Sequence, residues 1–197
     1  MTLRLSPVIS TRDFPEAELA AMLLDGDVYR VGECVSPIDV PPSPQQRMVA
    51  LERELPPRII LERRSAAWVW GALFFPPSRH EACTSLTGRR RPPYSNRVSV
   101  REIAIRPAEV TRFAAAPGLS LTTPLRTAMD IARYSEVFGD IEMRAIAILL
   151  AGARTTPSEC SSMIAGLQKL PFKKRALSRL AMIGRTPAVQ EVEASPS

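Results

Sequence analysis

The chain has 197 residues, 45% of them hydrophobic, and a formal charge of +6 from 26 Lys and Arg against 20 Asp and Glu. That suits one generous globular domain, or a small domain with a stub. The longest apolar run, Ala145 to Ala153, falls far short of the ~20 residues of a membrane span, and the opening MTLRLSPVIS lacks a secretory core, so a cytoplasmic protein with no membrane partner is expected.

Phe14 to Leu24 reads as a helix with Asp13 as its cap, Pro15 in its first turn and Leu19, Met22 and Leu23 on its apolar side. Asp25-Gly26-Asp27 is a turn signal. Val28 to Val31 and Cys34 to Ile38 then read as two strands about Gly32-Glu33. A helix followed by a hairpin is how a winged helix-turn-helix ends, so residues 1–39 read as a partial winged-helix stub. The proline-rich stretch Val40-Pro41-Pro42-Ser43-Pro44 marks a boundary.

Ser43 caps the next helix, which runs to about Glu54, with Pro44 at its first position. Arg58 to Leu61 reads as a short strand and Ser65 to Gly71 as a short helix. His80 to Leu86 and Val98 to Ile105 read as paired strands joined by the exposed basic loop TGRRRPPYSNR. A helical turn at Pro107 to Val110 and a strand at Leu119 to Leu121 lead to a helix from Pro124 to Tyr134. These elements make residues 40–135 a central α+β core. Helices over 139–152, 157–169 and 172–183 pack on it as a C-terminal third, residues 136–184. The helix over 172–183 sets Lys173, Lys174, Arg175 and Arg179 opposite Phe172, Leu177 and Leu180, the pattern of an outer helix with a wet cationic face. Residues 185–197 lack periodicity and read as a disordered tail. The fold class is α+β.

The charge is uneven. Residues 1–57 carry 5 Arg against 9 acids, residues 58–135 carry 13 Arg against 5 acids, and residues 136–197 carry 8 basic against 6 acidic groups. A cationic middle attracts phosphate or an acidic partner surface. The bases expected to contact nucleic acid are Arg30 on the hairpin and Arg89, Arg90, Arg91 and Arg97 on the loop. On such a loop they would hold phosphates and give affinity without reading sequence.

Catalysis finds no foothold. His80 is the only histidine, the carboxylate pairs stand at i, i+2 and so face apart on a helix, and no phosphate-binding glycine loop occurs. Cys34, Cys83 and Cys160 have no metal spacing. No cofactor, metal or enzymatic activity is expected.

Two segments are patterned: Ser65-Ala66-Ala67-Trp68-x-x-Gly71 and, further on, Thr122-Thr123-Pro124-x-Arg126-Thr127-x-x-Asp130. In the second, Thr123 caps the helix and Arg126 and Asp130, four apart, share a face and pair. From about residue 16 to residue 150 the chain resembles the AbiEi family of toxin–antitoxin antitoxins, through these segments and a wing-like Tyr29-Arg30-Val31-Gly32. Ser65, Trp68, Gly71, Thr123, Arg126 and Asp130 are the positions that carry the resemblance. It implies an antitoxin that represses its own operon by binding promoter repeats and opposes a nucleotidyltransferase-like toxin. The first helices of the family's winged-helix region are missing here, so the stub is a shortened one. The alternative reading is a protein-interaction module that never touches DNA.

Overall fold

The computed structural model describes residues 8–86 and 95–185. Helix α1 (Glu16–Asp25) ends at Gly26, whose φ of 78° reverses the chain without a Cβ penalty. Its expected cap is not used. Pro15 holds the cap position with no side-chain bond. Asp13 instead accepts the Ser10 N–H at 2.9 Å and pairs with Arg53.

Strands β1 (Val28–Val31) and β2 (Cys34–Pro37) pair antiparallel, Val31 opposite Cys34, about a turn with Gly32 at φ 63°. Val28 and Val35 pack with Leu19 of α1 in a small cluster. Val31, Cys34 and the preceding Val8 are buried with the main core instead. Helix α2 (Pro44–Glu52) opens on the Ser43 cap, with Gln46 closing the reciprocal capping box.

A five-stranded sheet follows in the order β5-β4-β3-β7-β6. Its strands are β3 (Ile59–Leu61), β4 (His80–Ser85), β5 (Val98–Ile103), β6 (Val110–Thr111) and β7 (Leu119–Thr122). The pairing expected for the two long strands is present, and they run parallel. A tight hairpin therefore cannot join them, because parallel neighbours need a connection that crosses from end to end. The connection includes residues 87–94, outside the described residues. β5 also stops at Ile103 rather than Ile105.

Helix α3 (Arg63–Val69) packs on β4, α2 and α4 (Pro124–Tyr134). α4 in turn carries α5 (Asp140–Gly152) and α7 (Lys173–Ile183), with α6 (Pro157–Gly166) against α7. Met48, Leu51, Leu61, Leu121, Ile146 and Leu149 lie within this common core and are essentially fully buried. α6 ends three residues before the expected 169. The Lys173 amine donates to the carbonyls of Ala165 and Leu167 at 2.5 and 2.8 Å, satisfying acceptors left open where the helix ends. The tail expected at the C-terminus lies, from residue 186, outside the described residues.

Candidate nucleic-acid and partner interface

The patterned residues converge on packing and hydrogen bonding. In α3, Ser65 is fully buried; its Oγ accepts the Glu81 N–H at 2.8 Å and lies 3.1 Å from His80 Nδ1. Trp68 is 3% exposed, with the Arg47 guanidinium 5.2 Å from its ring centre. Gly71 ends the helix at φ 82° and bonds the Trp68 carbonyl at 3.0 Å. Next to it, Trp70 Nε1 donates to the Thr122 carbonyl at 2.9 Å, tying the end of α3 to β7 at the first residue of the second patterned segment. Thr123 caps α4 as expected, accepting the Arg126 N–H.

Arg126 Nε lies 2.8 Å from Asp130 Oδ2, the pair the spacing predicts. It belongs to a larger lattice. Arg133 reaches the other Asp130 oxygen at 3.0 Å, and Arg126 also meets Glu109 at 3.0 Å. Alongside, Arg101 takes both oxygens of the fully buried Glu62, at 2.6 and 2.8 Å. Burial works against the Arg101 charge, but Glu62 overrides it and raises the guanidinium above its ordinary range. Arg101 and Arg133 both stack on Tyr134, 4.4 and 4.6 Å from its ring centre. Sequence reasoning missed Glu62, Arg101 and Arg133. Arg133 had a signal, its i, i+3 spacing from Asp130; the Glu62–Arg101 pair had none, because the two lie 39 residues apart.

His80 heads β4 at 8% exposure. Burial, then the nearby Arg97 charge, lowers its pKa from the ordinary 6.5. A depressed histidine is neutral when folded and takes up its proton more readily when unfolded. Stability is then complete above about pH 6.5 and falls as the pH drops through the folded value. We expect wild-type stability to decline between pH 7 and pH 5, and His80→Asn to remove most of that slope. Burial raises the pKa of Glu54 even though Arg97 faces it, which tilts the profile the opposite way, so the informative quantity is the difference between the two proteins. Parallel pH profiles from urea melts would refute the assignment.

The cationic residues distribute unevenly. Arg89, Arg90 and Arg91 lie outside the described residues. Arg30 is exposed on β1. Arg97 has a side chain 56% exposed and stands 3.5 Å from Glu54. Arg30 and Arg97 border two clefts that share Gly32 and Pro76, so the hairpin turn brings them to neighbouring ground. Of the ten described arginines between residues 58 and 135, seven (Arg63, Arg64, Arg97, Arg101, Arg106, Arg126, Arg133) make ion pairs with carboxylates. Arg58, Arg79 and Arg112 are exposed and make none among the described residues. The charge excess counted along the chain is therefore not an equal surface excess.

On the C-terminal helix, Arg179 donates to the carbonyls of Ala132 and Ser135 at 3.0 and 2.9 Å, so part of its cationic face is spent on packing. Cys34, Cys83 and Cys160 are buried free thiols. Burial pushes Cys34 and Cys160 up to about 11, away from the reactive thiolate. Among the described residues no group of three or more His, Cys, Asp or Glu could hold a metal ion, and no helix is long and apolar enough to cross a membrane.

The fold and this buried lattice define an α+β scaffold whose patterned residues hold its helices to its sheet. Residues 60–180 match the family model described as the AbiEi antitoxin C-terminal domain. The chain belongs to that family, and its role is antitoxin-like and regulatory. The match begins at β3 and runs through α6 into α7, so it starts and ends later in the chain than the resemblance over about residues 16 to 150. No curated protein matches the chain. Among solved structures, the crystal structure of the RV2827C protein from Mycobacterium tuberculosis is similar to it at 18% identity and a TM-score of 0.44, covering 89% of this chain and 70% of that one.

Proposed function

We propose that the protein acts in the cytoplasm as an antitoxin that binds DNA at its own operon and opposes a nucleotidyltransferase-like toxin. The observation that carries this reading is the family match over residues 60–180. The proposed division of labour follows the chain: a partial winged-helix stub over 1–39, an antitoxin core over 40–135, C-terminal helices over 136–184 and a tail over 185–197. Arg30, Arg89, Arg90, Arg91 and Arg97 serve as the phosphate-gripping residues. The neighbouring positions of Arg30 and Arg97 beside the hairpin turn support a single contact surface. Changing Arg89, Arg90 and Arg91 together to alanine lowers DNA affinity and flattens its salt dependence, by about three in the logarithmic slope if each grips one phosphate. Mobility shifts at several salt concentrations measure this. An unchanged slope removes the loop from the interface.

A second reading is favoured by one observation: seven of the ten described central arginines are paired internally. The protein would then restrain a toxin without touching DNA. Co-purification of the neighbouring gene product, with no salt-dependent DNA binding, selects this reading.

A further inference from the structure

Four clefts on the described surface can be compared by the charges that line them. Three include carboxylates: Glu102 and Glu109 in one, Glu81 and Glu136 in another, Glu33 and Glu54 in the third. The remaining cleft, of about 520 Å³, has none. It lies between the β1–β2 hairpin and the segment that follows α3, and it is lined by Arg30 and Arg47 together with Tyr29, Trp68, Phe74 and Phe75.

Each wall is fixed by a different contact. Tyr29 Oη donates to the Val40 carbonyl at 2.8 Å. Arg47 is held over Trp68 and donates to the Trp68 carbonyl, so its charge is set in the floor. Val28 and Val31, on either side of Arg30 in β1, are buried and anchor the strand that presents it. Arg30 itself is exposed and makes no ion pair among the described residues. At the mouth, Phe74 and Phe75 are 89% and 74% exposed. They meet edge to face, with ring centres 5.1 Å apart, an arrangement that leaves ring surface open to a further aromatic partner.

Flat apolar faces beside fixed positive charge, with no carboxylate to repel an anion, match a ligand that is planar at one end and anionic at the other. We propose that this cleft receives an unstacked nucleotide of a single nucleic-acid strand, its base on Phe74 and Phe75 and its phosphate at Arg30. Stacking on aromatic side chains beside cationic groups is how single strands are held without sequence preference. An acidic peptide would use the arginines and leave the rings idle, so the ring pair favours the nucleotide. This inference rests on the nucleic-acid reading above and adds a strand form and a site to it.

The test uses the full chain, a labelled single-stranded oligonucleotide carrying 2-aminopurine, and a blunt duplex of the same sequence. Binding is expected to quench the 2-aminopurine as it stacks. Phe74→Ala/Phe75→Ala should weaken single-strand binding about tenfold or more and abolish the quench. Arg30→Ala should lower the salt slope by about 0.7 while leaving the quench in place. All three side chains are exposed, so the variants keep their core. Duplex binding without single-strand binding overturns this inference and leaves DNA binding standing; binding of neither strand form removes both. Single-strand binding that survives the double phenylalanine change, or a glutamate-rich peptide that takes the cleft in its place, overturns the stacking site alone.

Discussion

Replacing Asp130 with alanine is expected to destabilise the protein by about 3–5 kcal/mol, the usual cost of breaking a buried ion pair from one side. For a chain of this size that lowers the melting midpoint by about 6–20 °C. Asp130 is fully buried and holds two guanidiniums, Arg126 with a side chain 14% exposed and Arg133 with one 6% exposed. Removing the carboxylate leaves Arg133 with its bonds to the Pro171 carbonyl and Tyr134 but no opposite charge. A second substitution makes the cause readable. Arg133→Met in the Asp130→Ala background removes the stranded charge and should recover part of the loss, a coupling that independent sites would not show. If Asp130→Ala melts within about 0.5 kcal/mol of wild type, as a surface change would, the lattice is not a structural element.

Trp68→Ala is expected to cost about 3–5 kcal/mol, in the range of large aromatic truncations in a packed core. Trp68 is 3% exposed, and its loss would uncover more than its own site. A side-chain carbon at Gly32 would come within 3.6 Å of the Trp68 ring, so the ring lies directly beneath the hairpin turn. Hydrogen exchange should therefore accelerate in β1 and β2 more than in β3 and β7. Trp70 remains as a fluorescent reporter for urea unfolding. A loss below about 1 kcal/mol, or uniform acceleration through the sheet, would separate the hairpin from this contact.

Elements with local instructions were legible in the sequence. Ser43-Pro44 and Thr123-Pro124 announce helix starts, because a cap and a proline act within one turn, and both helices begin there. Gly26 and Gly32 mark turns that need positive φ. Asp13 shows where a local signal yields: it has the chemistry of a cap, but Ser10 and Arg53 are its partners in the folded chain.

The sequence alone determined the α+β class, the order of the elements apart from the two-residue edge strand β6, and the Arg126–Asp130 pair, since each depends on residues a few positions apart. Only tertiary structure decided that β4 and β5 run parallel, that Glu62 meets Arg101, and that most of the described central arginines face carboxylates. The reason is electrostatic and geometric: a charge count ignores direction, and a guanidinium acts on whatever the fold brings within a few ångströms. Arg30 shares its cleft with exposed rings and no acid because the hairpin closes over the end of α3, a contact between segments separated by the whole of α2.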